Sequence, residues 1–416
     1  MTPQRTQKPS VTQVFLLCVV IPAFLLATLE LGARALEPFW SSKSQEEANP
    51  KALEMPTWML REANSTTRPK VTKDDLEWLK LFTEGDGYRV HLVPNTKAEV
   101  INTFSLIPAD RERRRRIVSN SLGFRGPEIS PKKPAHTFRI LIFGDSSSFG
   151  WGVNDDESWA ALLQRNLQER YPQTTIEVAN FAIPGDSSAY GRLIFDTYAP
   201  RFESDLVILG FGANDAKPVQ TSHSEQVSRF KQKESLLKLT ALLRASALYR
   251  GLEQALAPRK RPDGNAQTPP VAKIPAVAPA DYHENMSYMA TRSRALGNQN
   301  AILLTLCTPG NYSHEAKKAA RKLGVISFNG QAKLLRLIPH IKDGSVYPEY
   351  AQAMEASYPS FLRRDERFYI TSDGCHPNEL GHRFVADQLA ALIENAGLVE
   401  ASVTASGFAP GQDHSS

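Results

Sequence analysis

Short, nearly continuous apolar runs recur along this chain from about residue 138 onward, separated by stretches with helical spacing. The runs at 138–143, 174–182, 205–211, 300–306 and 324–329 read as buried strands. Between and after them, 157–170, 188–199, 314–323 and 378–396 read as helices. Trp159, Leu162, Leu163 and Leu167 show the spacing in the first of these. Such alternation predicts a parallel sheet covered on both faces. The interval 217–299 breaks the rhythm with a helical stretch at 234–256. It continues into a Pro- and Ala-rich stretch, 257–280, read as a mobile surface excursion.

Upstream the pattern changes character. No charged residue occurs from Pro9 to Leu29, enough to cross a hydrocarbon core of roughly 30 Å. Arg5 and Lys8 precede that run, so residues 1–10 are expected in the cytoplasm and everything after the segment outside it. We expect a transmembrane signal-anchor at 11–31; the alternative is a secreted protein cleaved near Ala35. Residues 41–136 follow as a polar tether (41–75) and a small β-rich segment. There, 74–82 predicts a short helix, 87–100 a hairpin, and INTFSLI and RIVSNSLGF further strands. The charged run at 111–116 reads as a solvated loop, with contact to anionic lipid or polysaccharide as the sharper alternative. The tail, 398–416, reads as disordered.

Composition narrows the function. Apolar content of 41% and charged content of 22% are those of an ordinary folded protein, and a net charge of +5 over 416 residues gives no case for nucleic-acid binding. No cysteine pattern of the zinc type and no phosphate-binding glycine signature is present, and no metal or organic cofactor is expected. Cys307 and Cys375 lie in the exported part, where a disulfide is permitted; two cysteines do not establish one.

The candidate chemistry gathers at the ends of the predicted strands. FGDSSSFGWGV (143–153) follows the first strand and places Ser146 in a small-residue turn before a helix. Open α/β sheets bind ligands there, beside unpaired backbone N–H groups. Gly185 follows the second strand, where a glycine lets the backbone approach a substrate and present its N–H. Asn214 follows the third and can offer a side-chain donor, although Gly and Asn are also common turn residues. In SDGCHPNELGHRF, Asp373 and His376 stand before the last helix. A carboxylate there can hold one imidazole nitrogen and turn the other toward Ser146, which is what a weakly acidic hydroxyl needs to become a nucleophile. Asp145, Asp186 and Asp215 read as turn and cap residues, and His382 as a surface or helix-packing residue.

Taken together, these stretches resemble the SGNH (GDSL-type) hydrolase superfamily over about residues 137–397. The resemblance rests on Ser146 in GDS, Gly185 in NFAIPG, Asn214 in GAND and Asp373 and His376 in DGCH, in that order. It selects Ser146 over Ser147 and Ser148, and departs from the lipase-like pattern in the Ser-Ser-Phe after the nucleophile. It implies a three-layer α/β/α sandwich, flavodoxin-like, with a five-stranded parallel sheet. It also implies a triad of Ser146, His376 and Asp373, with an oxyanion hole from Ser146 N–H, Gly185 N–H and Asn214 Nδ2. The apolar N-terminal segment, the β-rich preface and NSLGFRG are similar to envelope-associated bacterial members. The expected activity is that of a membrane-anchored serine esterase acting on an acylated carbohydrate or lipid. Two alternatives remain: an O-acetyltransferase working through the same acyl-enzyme, and a non-catalytic envelope binding module. The sequence leaves the oligomeric state open.

Overall fold

The computed structural model describes residues 20–47, 78, 81–84, 90–102, 105–107, 110, 112–243, 246–256, 273–298 and 300–405. The chain divides into two compact units, one formed by 1–57 with 231–270 and the other by 58–230 with 271–416.

The smaller unit contains α1 (Ile21–Glu47), and a second helix within 231–270 (Ala247–Leu256) packs against it. The Glu30 carboxylate accepts from Ser246 Oγ at 2.6 Å, Ala247 N at 2.9 Å and Leu248 N at 3.1 Å, so a side chain of one helix caps the start of the other. Arg250 forks Glu37 at 2.7 Å from both Nε and Nη2. The expected transmembrane segment at 11–31 falls partly outside the described residues, and its remainder opens α1. Among the described residues no helix is long and apolar enough to cross a membrane. The polar tether expected at 41–75 is helical over 41–47, because α1 continues to Glu47, and the rest of it lies outside the described residues.

The larger unit opens with two antiparallel pairs, β1 (Phe82–Glu84) with β2 (Val90–Leu92) and β3 (Lys97–Ile101) with β4 (Arg114–Val118). The hairpin expected over 87–100 is therefore not formed: each of its halves pairs with a different strand. The arginine run is not a solvated loop either. Arg114–Val118 alternates exposed and buried positions, and Arg115 is fully buried between Asp110 and Glu379. A run of one charge hides such alternation, because burial is decided by the partners that other segments supply. The short helix expected at 74–82 lies largely outside the described residues.

The body is a five-stranded parallel sheet of β5 (Thr137–Gly144), β6 (Thr175–Asn180), β7 (Leu206–Gly210), β10 (Asn300–Thr305) and β11 (Ile326–Asn329). Strands β8 (Pro218–Val219) and β9 (Ile274–Pro275) form a separate small pair. The sheet order is β11-β10-β7-β5-β6. After β6 the chain crosses to the other side of β5, so the order reverses between β5 and β7. Side chains sort by the two-residue period of the strands. Phe138, Ile140, Ile142, Leu206, Ile208, Ile302 and Leu304 face one core, with Trp159, Leu163 and Leu167 and with Val385, Leu389 and Ile393. Leu141, Phe143, Val207, Leu209, Ala301 and Leu303 face the other, with Ile194, Phe195, Met286, Met289, Ala316 and Ala320. This is the three-layer sandwich, and each predicted sheet strand is present with its ends moved by at most a few residues.

The helices of the body number onward from α1 as α2 (Ser146–Phe149), α3 (Trp159–Arg170) and α4 (Ser188–Tyr198). Next come α5 (His223–Leu243, whose residues from 231 on belong to the smaller unit), α6 (Ala247–Leu256, in the smaller unit), α7 (Pro279–Ala295) and α8 (Gly310–Leu323). The last are α9 (Gly330–Lys342), α10 (Pro348–Ser357), α11 (Pro359–Arg364), α12 (Glu379–Asn395) and α13 (Leu398–Ala405). Two expectations change here. The helical and Pro-rich insertion expected over 217–299 ends earlier than that, since α7 is a crossover helix of the sandwich whose Tyr282, Met286, Met289 and Ala290 are fully buried. The tail is not disordered from 398 onward. Helix α13 runs to Ala405, Val399 is buried, and Ser402 Oγ donates to Asp205 at 2.5 Å. Residues 406–416 lie outside the described residues, as do 257–272 of the Pro-rich stretch.

Candidate active site

β5 and β7 pair up to their carboxyl ends, where Gly144 stands opposite Gly210. A Cβ on Gly144 would fall 2.3 Å from Ser148 Oγ and 2.6 Å from the Gly210 carbonyl, and a Cβ on Gly210 would also meet Ser148 Oγ at 2.3 Å. Glycine at both strand ends makes room for a buried serine, whose hydroxyl donates to Gly210 O at 3.3 Å. Ser148 is thus engaged inside the turn, and Ser147 is buried as well. Of the three adjacent serines, Ser146 alone is not buried.

Ser146 opens the single turn α2. Asp145 is extended (φ −95°), and its carboxylate caps the turn by accepting from Ser147 N at 2.9 Å; Gly150 closes it in the left-handed region (φ 87°). As the first residue of the turn, Ser146 keeps its N–H outside the helical bonding. Asn180, at the end of β6, donates from Nδ2 to Ser148 O at 2.9 Å and holds the turn from the side.

His376 is brought to this turn by its own loop. Its Nε2 lies 2.8 Å from Ser146 Oγ, and its Nδ1 lies 2.6 Å from Asp373 Oδ2. The carboxylate can only accept, so Nδ1 carries the proton and Nε2 accepts from the serine hydroxyl. Asp373 is also fixed, because Oδ1 accepts from His376 N at 2.8 Å and Cys375 N at 2.9 Å. A disulfide joins Cys375 to Cys307, just past β10, and settles what the sequence left open. Asn378 caps the following helix by accepting from Gly381 N at 3.0 Å.

Charge is tuned within this cluster. Burial alone would lower His376, but Asp373, helped by Asp145 and opposed by Lys217, holds its imidazole above the usual histidine range. Burial likewise opposes the charge on Asp373, yet His376 and the two loop N–H groups keep it below the usual carboxylate range. Asp145 is pushed up to about 6 and Asp215 to about 7, both chiefly by burial.

Gly185 stands in the left-handed region (φ 86°), which favours glycine there. Asn214 is buried and donates from Nδ2 to Asp186 O at 3.0 Å, so it is tied to the residue after Gly185. Asp215 accepts from Ser188 N at 3.0 Å and Ser188 Oγ at 2.5 Å, pinning the end of β7 to the start of α4. Nδ2 of Asn214 carries two protons, so its bond to Asp186 O leaves one for a ligand. Replacing Asn214 by alanine is expected to lower kcat on a short acyl ester by roughly 100- to 1,000-fold with little change in KM, read by steady-state kinetics.

Several neighbours of the site escaped sequence reasoning. Arg115, Arg125, Trp78 and Trp151 are fully buried around the α2 turn and the histidine loop. The available signal was weak, namely isolated large polar and aromatic residues in a segment of little periodicity. His382 is likewise fully buried, accepting from Trp159 N at 3.2 Å, and burial drives it down to about 3.

Comparison with known proteins adds a family to this geometry. An arylesterase of Vibrio mimicus is 30% identical over 99 residues, which is 22% of this chain and 48% of that protein. Esterase TesA of Pseudomonas aeruginosa is 35% identical over 77 residues, 18% of this chain and 37% of that one. The chain thus spans less than half the length of these curated relatives. Among solved structures, TesA covers 62% of this chain and 98% of its own at 18% identity, with a TM-score of 0.35. A catalytic mutant of an acetylxylan esterase from Geobacillus stearothermophilus covers 62% and 94% at 15% identity, also with a TM-score of 0.35. The family match begins in β5, ends with α8 and stops short of the Asp373–His376 loop. Over residues 142–323 this chain matches the GDSL-like lipase/acylhydrolase family.

Proposed function

We propose that this protein is a serine esterase that cleaves an acyl group from a carbohydrate or lipid, and that it is held at a membrane by its N-terminal segment. The reading is carried by one observation, the chain of contacts from Asp373 through His376 to Ser146 at 2.6 and 2.8 Å. Its context agrees with the family match over residues 142–323 and with the two curated relatives, both named as esterases.

Ser146 Oγ attacks the acyl carbonyl while its proton passes to His376 Nε2. The resulting oxyanion takes hydrogen bonds from Ser146 N–H, Gly185 N–H and Asn214 Nδ2. His376 then gives the proton to the departing alcohol oxygen, leaving an acyl-serine. Water attacks that ester with His376 again as base, releasing the acid and restoring the hydroxyl. Asp373 stays ionised throughout and stabilises the imidazolium. The uncharged stretch 9–29 supports the membrane tether, as do the exposed side chains of Phe24, Leu25, Leu26, Leu29 and Leu31 on α1.

The test uses the full chain in detergent. A fluorophosphonate is expected to label it at Ser146, and p-nitrophenyl acetate is expected to be hydrolysed. Well-folded protein that neither labels nor turns over an ester series from acetyl to palmitoyl would sink the proposal. Adding an oligosaccharide acceptor separates hydrolysis from transfer, since transfer would give acylated sugar at the expense of free acid.

A further inference from the structure

The β-rich segment upstream of the sandwich reaches both catalytic loops. Arg115, on β4, donates from Nε to Gly152 O at 2.8 Å, and from Nη2 to Asp110 Oδ1 at 2.5 Å and Glu379 Oε1 at 3.0 Å. Gly152 lies just beyond the α2 turn, and Glu379 opens the helix that follows His376. The same guanidinium therefore touches the element behind the nucleophile and the element behind the base. Around it a ring closes, because Asn102 Nδ2 donates to Asp110 Oδ2 at 3.2 Å and a Cβ on Gly152 would fall 2.3 Å from that same nitrogen. Gly152 is in the left-handed region (φ 86°), so both backbone shape and space exclude a side chain there.

Other contacts from the segment run the same way. Leu106 N donates to Ser372 O at 3.0 Å, immediately before Asp373. Arg125 donates to the carbonyls of Phe149 at 3.2 Å, Gly150 at 2.6 Å and Val153 at 2.7 Å, satisfying groups that the end of α2 leaves open. Trp78 stacks on Trp151 with centroids 4.0 Å apart, and Trp151 lies 6.3 Å from the His376 ring. A planar, permanently charged fork suits a site with acceptors in several directions, and an ammonium cannot reproduce its bonds.

We propose that Arg115 is a positioning residue of the esterase site, locking the turn after Ser146 to the helix after His376, and that the segment around 90–126 is part of the reacting unit. The proposal rests on the esterase reading for its kinetic consequence only. Reactions between held groups lose about 100-fold in rate when the geometry slips by roughly an ångström, even from changes away from the chemistry.

The test compares full-length wild type, Arg115→Lys, Glu379→Ala and the double variant in detergent. Arg115→Lys is expected to melt cooperatively, lose about 100-fold in kcat on p-nitrophenyl acetate and keep its KM. Amides of 149–153 and of 372–377 are both expected to exchange faster. Glu379→Ala removes the histidine-side bond, together with the exposed Arg113–Glu379 pair at 2.9 Å, and leaves the Arg115–Gly152 bond in place. Faster exchange is therefore expected in 372–377 alone, and the double variant should be no slower in turnover than Arg115→Lys. A folded Arg115→Lys with wild-type kcat, or with its loss confined to KM, overturns the proposal. If Arg115→Lys does not fold, Glu379→Ala decides: unchanged exchange in 372–377 overturns the proposal and faster exchange supports it. If wild type hydrolyses no ester, the esterase reading falls by itself. The exchange comparison still decides whether Arg115 links the two loops, acceleration in both supporting it and in neither overturning it.

Discussion

Ser146→Ala is expected to remove ester hydrolysis almost entirely, with a fall in kcat on the order of a millionfold. In the proposed mechanism the hydroxyl supplies the bond that carries the acyl group, and neither neighbouring serine is placed to take that role. Ser148 is buried with its hydroxyl on Gly210 O, and Ser147 is buried in the same turn. Fold and stability should be nearly unaffected, since no capping bond of α2 uses the Ser146 side chain. The measurement is kcat by a discontinuous acid-release assay, with thermal melting as the control. His376→Ala should match it, and the double variant should be little worse than either, because the pair acts as one unit. Residual turnover in Ser146→Ala above a hundredth of wild type would assign the nucleophile elsewhere.

Asp373→Asn is expected to cost roughly 10,000-fold in kcat and to move the pH profile. An asparagine can present an N–H to Nδ1 and so favour the tautomer whose Nε2 bears the proton, which cannot accept from Ser146. The sign of the pH effect follows from the two opposing influences on His376. In wild type, Asp373 outweighs burial and holds the imidazole above its ordinary 6.5, so kcat/KM should rise with pH through a midpoint above 6.5. With the carboxylate neutralised, burial is left to favour the uncharged ring, and the midpoint should move downward. A profile of kcat/KM from pH 5 to 9 reads both effects. A variant whose midpoint moves upward would contradict this account of the charge balance.

The five sheet strands were legible because a strand buried on both faces must be apolar at nearly every position, as β5 is. Three loops of the site were legible because each follows a strand end, and the Asp373–His376 loop because a carboxylate and an imidazole stand three residues apart just before the closing helix. Helix α7 was not, since Asp281, His283 and Glu284 break up its apolar face and conceal a core-facing stripe of Tyr282, Met286 and Met289. Arg115 was hidden for a related reason. Its neighbours Arg113, Arg114 and Arg116 are all exposed, whereas Arg115 is buried on Asp110, five residues earlier, and on the distant Gly152 and Glu379. Strand partners across 82–118 were equally invisible, because alternation marks a strand but says nothing about which strand lies beside it.

The bond between Cys307 and Cys375 closes a loop whose ends are 68 residues apart in the chain. In a chain-entropy account, removing that much freedom from the denatured ensemble favours the native state by about 4 kcal/mol. The gain accrues without any native contact being strengthened, although the bond ends one residue before His376. Thiol reduction would then act first on the unfolded side of the equilibrium, lowering the melting temperature while leaving the hydrophobic layers of the sandwich as they were.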